Sequence, residues 1–209
     1  EVTLEEDLKR RDLTINAIAK AEDGTLIDPF GGRQDLQSRT LRHVSDAFAE
    51  DPVRILRVAR FAARFGFAVH PSTMEMMKAM VRGGEADYLV PERVWQEFAK
   101  GLAEPQPQRM FEVLQQAGLL AKAFAEIRSW PARFSGPVPV RFAHLSWPLD
   151  ESAVEALCER LRAPNEVREL ALTAARNREL IKRSNPESLL QLLKGAGAVR
   201  RPGRFAQLM

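Results

Sequence analysis

Residues 50–67 read EDPVRILRVARFAARFGF, and they form the clearest helix signal in the chain. Asp51 followed by Pro52 is typical of a helix start, because the carboxylate can cap the first turn and the proline ring suits that position. Gly66 can end the helix, since glycine readily adopts the left-handed conformation found there. The apolar side chains that we expect to face a core are Ile55, Val58, Ala59, Phe61, Ala62 and Phe65.

The other side of this helix carries a row of arginines, which at about 100° per residue lie within an arc of roughly 120°. The stretch from Pro52 to Phe67 contains no Asp or Glu. Guanidinium groups this close repel one another, so the pattern predicts an external anion such as phosphate. The alternative interpretation is a basic helix face that is simply solvated. The prediction of an external anion also requires that carboxylates from elsewhere in the protein do not pair with these arginines. The row consists of Arg54, Arg57, Arg60 and Arg64.

Composition restricts the class of protein. The 209 residues suffice for one large domain or two small ones, and the net charge is only +3, so the basic character is local. Clustered arginine favours a nucleotide or nucleic acid over a membrane surface. Cys158 is the single cysteine, which excludes an intrachain disulfide and agrees with a cytoplasmic location. No stretch is apolar for long enough to span a bilayer, and the opening EVTLEEDLKRRD is typical of mid-protein sequence, so we expect a piece of a longer protein.

Element signals predict a mainly α fold with a small α+β opening. In the opening, we expect helices at residues 3–20 and 33–38 and strands in GTLIDPFGG (24–32) and at 40–44. The Trp130–Pro148 segment is rich in proline and predicts a loop or domain hinge. The further helices are expected at 71–80, 91–102, 107–120, 151–161, 165–178 and 186–193.

Four stretches carry a resemblance to a known family. RRDLTINAIA (10–19), LIDPFGGRQDL (26–36), the arginine stretch and PERVWQEF (91–98) resemble, in this order, the motifs of class II tRNA nucleotidyltransferases. This family includes the CCA-adding enzymes and the bacterial poly(A) polymerases. The similarity is dense from Val2 to about Leu120, and LCERLRAPNEVRELA (157–171) still looks like the body of long bacterial CCA-adding enzymes. It implies the C-terminal part of a nucleotidyltransferase head at 1–48, a helical neck at 49–120 and an RNA-supporting helical body at 121–209.

The resemblance also implies site residues. Asp51 and Arg54 match the pair that reads the base, Arg11 matches a contact to the incoming nucleotide, and two further arginines match nucleotide contacts. The segment around Arg93 matches one that braces the arginine helix. Nucleotide-binding roles thus fall on Arg11, Asp51, Arg54, Arg57 and Arg60, and supporting roles fall on Glu92, Arg93 and Glu97.

Elementary chemistry supports the base-reading pair. Cytosine and adenine present an amino donor beside a ring-nitrogen acceptor, which a carboxylate and a guanidinium complement. Uracil and guanine present a carbonyl instead, and each unpaired group costs about 1–3 kcal/mol. The alternative role of Asp51 is helix capping, which is compatible with base reading because a carboxylate has several lone pairs. For Arg11 the alternative is an ion pair, in which one of the three bases Lys9, Arg10 and Arg11 binds Asp12 or Glu6. Thr14 and Asn16 could bind either the backbone or a nucleotide.

Phosphoryl transfer in this family depends on Mg²⁺ held by a D-x-D pair of carboxylates, which does not occur here and is expected upstream. We therefore assign no catalytic residue or metal ligand to this chain, and expect this piece alone to bind ATP or CTP weakly and to leave RNA unextended. His144 is not followed by Asp as in a His-Asp phosphohydrolase, so we expect ordinary packing there and a degenerate region.

The sequence as a whole predicts part of a tRNA CCA-adding nucleotidyltransferase that uses CTP and ATP without a template. The alternatives are a poly(A) polymerase of the same family and a non-catalytic helical RNA-binding module. The expected partners are tRNA, ATP and CTP, with no membrane. Basic residues near the C-terminus could follow the tRNA backbone or be solvated: Arg176, Arg178, Lys182, Arg183, Arg200, Arg201 and Arg204.

Overall fold

The structure is a computed structural model that describes residues 2–183. Within these residues the protein is mainly helical with two small sheets, which confirms the fold class predicted from the sequence. The chain divides into two compact units, and the boundary lies between Ala125 and Glu126. No helix in the described part has the length and apolar character needed to cross a membrane.

The first unit is built around the buried helix α3 (Val53–Phe65), which packs against α5 (Pro91–Ala103) and α6 (Pro107–Gln116). Ile55, Leu56 and Val58 of that helix are fully buried. Short 3-10 turns at 14–16, 46–50 and 85–88 connect some of the longer elements. The helices are α1 (Leu4–Lys9), α2 (Gly32–Gln37), α3 (Val53–Phe65), α4 (Pro71–Gly83), α5 (Pro91–Ala103), α6 (Pro107–Gln116) and α7 (Leu119–Ala123).

Two pairs of short strands accompany these helices. Strand β1 (Ala19–Lys20) pairs antiparallel with β2 (Leu26–Ile27), which confirms the strand predicted in GTLIDPFGG. Strand β3 (Thr40–Leu41) pairs parallel with β4 (Ala68–Val69) and is shorter than predicted. The parallel pair joins the segment before α3 to the segment after it.

The predicted N-terminal helix of residues 3–20 is wrong in extent. A capping box between Thr3 and Glu6 starts α1 as a helix, but it ends at Lys9. Asp12 then accepts hydrogen bonds at 2.9 Å from the backbone N–H of Leu13 and from the amide of Asn16. These local bonds compete with helix formation, so Leu13 is extended and the chain turns away.

Helix α3 ends at Phe65 as predicted, but it begins one residue later than the predicted cap indicates, with Pro52 at the N-cap. The carboxylate of Asp51 accepts a hydrogen bond from the N–H of Val53 at 3.1 Å, and Gly66 ends the helix with a φ of +68°. The expectation that Phe65 faces the core is wrong, because this ring is exposed. Both boundary signals were local in sequence, which is why they could be recognised.

The second unit, as far as it is described, contains α8 (Val138–Leu145), α9 (Glu151–Leu161) and α10 (Asn165–Arg183). The prediction of a loop over residues 130–148 is wrong where α8 lies. Pro137 precedes this helix and Pro139 falls in its first turn, where a missing N–H removes no hydrogen bond. The predicted α9 is confirmed, whereas the predicted helix at 186–193 lies outside the described residues.

Candidate nucleotide-binding site

Arg60 is buried against the protein's own carboxylates. Its Nε lies 2.6 Å from Oε2 of Glu97, and its Nη1 lies 3.8 Å from Oε1 of Glu104. The side chain is only 10% exposed, and the guanidinium carbon sits 4.4 Å from the centre of the Phe61 ring. The expectation that the arginines have no carboxylate partner within the protein is therefore wrong for Arg60.

Arg57 is also paired, although less completely. Its Nε donates to Oδ2 of Asp12 at 2.7 Å, its Nη1 lies 3.8 Å from Oε1 of Glu97, and 35% of the side chain is exposed. Burial alone would raise the pKa of Asp12, but the hydrogen bond from Asn16 and the charge and hydrogen bond of Arg57 outweigh it, so this pKa is lowered. Asp12 therefore stays ionised beside Arg57.

Arg54 has neutral partners instead. Its Nη1 donates to the carbonyl oxygen of Ala47 at 2.7 Å, and its Nη2 donates to that of Arg10 at 2.8 Å. These carbonyl groups hold the guanidinium in place without cancelling its charge. They also bring the Arg10–Asp12 segment against the first turn of α3. Three N–H groups of the Arg54 guanidinium are not used by these two bonds.

Asp51 lies beside this end of α3 and is paired with Arg93 of α5. The two contacts are Nη1 to Oδ1 at 3.2 Å and Nη2 to Oδ2 at 2.6 Å. Burial would raise the pKa of Asp51, but the hydrogen bonds from Arg93 and Val53 and the charges of Arg93 and Arg54 outweigh it and lower this pKa. The carboxylate thus caps the helix, as the alternative interpretation required, and still reaches solvent with 28% of its side chain exposed.

Arg11 is exposed and pairs with Asp7, at 2.9 Å between Nη2 and Oδ2. The expected pairing with Asp12 or Glu6 is wrong, because Glu6 belongs to the capping box of α1 and Asp12 binds Arg57. Thr14 is buried, and its hydroxyl donates to Asp35 at 2.7 Å. Arg64, at the far end of the row, lies 5.3 Å from the ring centre of Phe65.

The structure thus brings together one end of the predicted set. Four of its side chains lie near the start of α3, namely those of Asp51, Arg54, Arg57 and Arg93. Glu92 precedes Arg93 in the first turn of α5. Arg60 and Glu97 lie deeper along the α3–α5 contact, while Arg11 joins through the backbone of its neighbour Arg10. Sequence reasoning missed Asp12 and Glu104 as partners, since Asp12 precedes Arg57 by 45 residues.

No group of three or more His, Cys, Asp or Glu residues that could hold a metal ion occurs within the described residues. Residues 2–183 thus offer no such cluster for the Mg²⁺ that the resemblance implies. The expectation that His144 is ordinary packing is wrong, because it is exposed and borders a cavity of about 570 Å³ beside Trp130 and Trp147. Cys158 is a buried free thiol whose pKa burial raises to about 11.

Several of the C-terminal basic residues have partners in their own unit. Arg176 donates through Nε to Glu151 at 2.6 Å, and Lys182 lies 3.2 Å from Glu179. Arg178 donates to the carbonyl groups of Trp147 and Leu149 at 3.0 and 3.1 Å. The side chain of Arg183 and the whole of Arg200, Arg201 and Arg204 lie outside the described residues.

Comparison with known proteins shows which family the chain resembles. Residues 1–42 match the family described as the poly A polymerase head domain, and residues 66–130 match the probable RNA and SrmB-binding site of polymerase A. A multifunctional CCA protein of Dechloromonas aromatica is 48% identical, over all of this chain and 62% of its own length. The chain is similar to members of the poly(A) polymerase and CCA-adding tRNA nucleotidyltransferase family.

Two further relatives show the same similarity. A multifunctional CCA protein of Chromobacterium violaceum is 46% identical, over all of this chain and 63% of its own length. The crystal structure of the Bacillus stearothermophilus CCA-adding enzyme in complex with CTP has a TM-score of 0.73 and 30% identity, covering 99% of this chain and 58% of that one. The chain thus spans about three fifths of the length of the relatives that it matches.

Proposed function

We propose that the protein containing this chain adds C and A to tRNA 3′ ends from CTP and ATP without a nucleic-acid template. The names of the two relatives and the CTP bound in the similar structure support this proposal. The reaction is an in-line attack of the tRNA 3′-hydroxyl on the α-phosphate, with pyrophosphate as the leaving group. This chain supplies nucleotide selection and RNA binding, and an activity on tRNA implies the cytoplasm.

One structural observation carries the proposal for base selection. The carboxylate of Asp51 and the guanidinium of Arg54 lie at the same end of α3, and Arg54 is held there by the carbonyl groups of Ala47 and Arg10. A fixed donor group beside a fixed acceptor group is what discrimination between bases requires, since an adaptable pair would accommodate the wrong base.

The roles of the remaining residues differ along the row. Arg57 is partly exposed, with Nε bound to Asp12 and Nη1 3.8 Å from Glu97, so we assign the phosphate contact to its Nη2. Exposed Arg11 adds a second phosphate contact by exchanging Asp7 for the nucleotide. Arg60 supports the site from behind, because its guanidinium is buried against Glu97.

The second part of the proposal is RNA support. Residues 66–130 match a probable RNA-binding region, and this stretch includes α4, α5 and α6. Mg²⁺ is expected to serve the whole protein, with ligands that are not among the described residues. A non-catalytic RNA-binding module remains the rival from another class, and a poly(A) polymerase remains the rival within the family.

A tRNA extension assay tests the proposal. The complete protein is incubated with Mg²⁺, CTP and ATP on a tRNA that lacks its three terminal nucleotides, and the products are sequenced. Addition of two C residues followed by one A residue is the expected result. A run of A residues would instead establish a poly(A) polymerase, and an unextended tRNA that is nevertheless bound would establish the RNA-binding module.

A further inference from the structure

The acceptor needed for base reading is already occupied in this structure. Both oxygens of the Asp51 carboxylate receive an N–H group of Arg93, at 3.2 Å for Oδ1 and 2.6 Å for Oδ2. Oδ1 receives the backbone N–H of Val53 as well, at 3.1 Å. Three of roughly four acceptor positions on the carboxylate are therefore filled before any nucleotide arrives.

We propose that Arg93 is an internal competitor of the nucleobase for the carboxylate of Asp51. The inference rests on the proposed function, because it concerns the same base-reading site. The exocyclic amino group of cytosine or adenine offers the same kind of donor that Arg93 offers through Nη2. To read the base, Asp51 exchanges an Arg93 contact for a contact to that amino group. Arg93 thereby sets the affinity for C and A, beyond holding α5 to α3.

The surroundings of the pair make this exchange feasible. The Arg93 side chain is 52% exposed, so it can swing into solvent without leaving a buried charge unpaired. Exposed ion pairs contribute little free energy, so the exchange costs only a few-fold in affinity. The bond from Val53 remains during the exchange and keeps the carboxylate in position. Arg60 cannot exchange its partner in this way, because its guanidinium is buried and would leave Glu97 without reaching solvent.

Competition between Arg93 and the base would affect the choice among the four nucleotides, whereas a purely structural role of Arg93 would not. Uracil and guanine present a carbonyl where the amino group would be, so in the same pose they place an acceptor, and no donor, against the carboxylate that Arg93 has released. Loss of Arg93 therefore favours CTP and ATP and leaves UTP and GTP without the same gain. If Arg93 served only to brace α3, its loss would weaken the binding of all four nucleotides.

Direct titration of the complete protein with CTP, ATP, UTP and GTP, without tRNA, tests the inference. In Arg93→Met the CTP-to-UTP affinity ratio should rise about 2- to 5-fold, which corresponds to the strength of an exposed ion pair. The matched control is Arg82→Met, which removes an exposed arginine that has no ion pair among the described residues and should leave the ratio unchanged. An unchanged or lower ratio in Arg93→Met would overturn the proposal, and Arg93→Gln replaces this variant if it does not fold.

A double-mutant cycle separates this inference from the proposed function. In the Asp51→Ala background, Arg93→Met should have no further effect on CTP affinity, because the shared carboxylate is gone. A full effect of Arg93→Met in that background would refute competition. If Asp51→Ala alone leaves CTP affinity unchanged, the base-reading role of Asp51 fails, and the inference about Arg93 fails with it.

Discussion

The guanidinium of Arg60 and the carboxylate of Glu97 form a buried ion pair, with 2.6 Å between Nε and Oε2, that joins α3 to α5. The same carboxylate lies 3.8 Å from Arg57 and 3.6 Å from Lys100. One acid from α5 thus serves three cations, two of which belong to the arginine row. The protein's own acids thus neutralise Arg57 and Arg60, whereas Arg54 is held by the carbonyl groups of Ala47 and Arg10 and keeps its charge.

Loss of Glu97 is expected to destabilise the first unit. Glu97→Ala leaves the guanidinium of Arg60 buried without its nearest acid, which costs about 3 kcal/mol. Urea unfolding at neutral pH measures the loss. The control is Glu75→Ala, which breaks an exposed pair with Lys78 on α4 and should change the unfolding free energy little. Equal stability of the two variants would argue against the supporting role given to Glu97.

The pair between Asp12 and Arg57 predicts a dependence of stability on pH. Because the pKa of Asp12 is lowered in the folded state, its contribution is fully present above the unfolded pKa of about 3.9. The contribution is lost as the pH falls through the folded pKa. The difference in unfolding free energy between the wild type and Asp12→Asn should therefore be constant from about pH 6 to 8 and shrink below about pH 4. A difference that stays constant down to pH 2 would contradict this.

Close packing at Gly32 gives a prediction that is independent of charge. A Cβ atom at Gly32 would lie 2.2 Å from the carbonyl oxygen of Thr14, which is backbone and cannot easily move. Gly32→Ala should therefore lower the free energy of unfolding by about 1–3 kcal/mol. Gly83→Ala is the matched control, since this helical glycine has nothing within 4 Å of the added atom, and it should be neutral or stabilising. A tolerated alanine at position 32 would mean that α2 packs differently from this structure.

The sequence predicts most helices of this fold, because their signals are local. Helix α3 has an acid and a proline at its start and Gly66 at its end, and α9 matches its predicted bounds. The first helix was predicted too long because its periodicity continues past Asp12, whose side chain redirects the chain. Helix α8 was missed because prolines in a first turn look the same in sequence as prolines in a loop.

The site was only partly predictable for a different reason. The arginine row and Asp51 could be recognised from spacing, and their joint position at the start of α3 follows from the helix itself. Their partners could not, since Asp12 and Glu97 lie 45 and 37 residues away from Arg57 and Arg60. Because α3 itself contains no Asp or Glu, the sequence predicted that its arginines have no carboxylate partner. In the fold, carboxylates from α5 and from the segment after α1 pair with two of them.

Nucleotide choice by an Asp51 variant is the decisive test of base reading by Asp51 and Arg54. Incorporation of C, A, U and G onto trimmed tRNA is measured for the complete protein, for Asp51→Ala and for Asp46→Ala, an exposed acid nearby in sequence that serves as control. We predict that Asp51→Ala lowers the preference for C and A over U by roughly 5- to 150-fold, while Asp46→Ala retains it. If Asp51→Ala keeps the wild-type preference, Asp51 does not read the base and the proposed nucleotide selection is wrong.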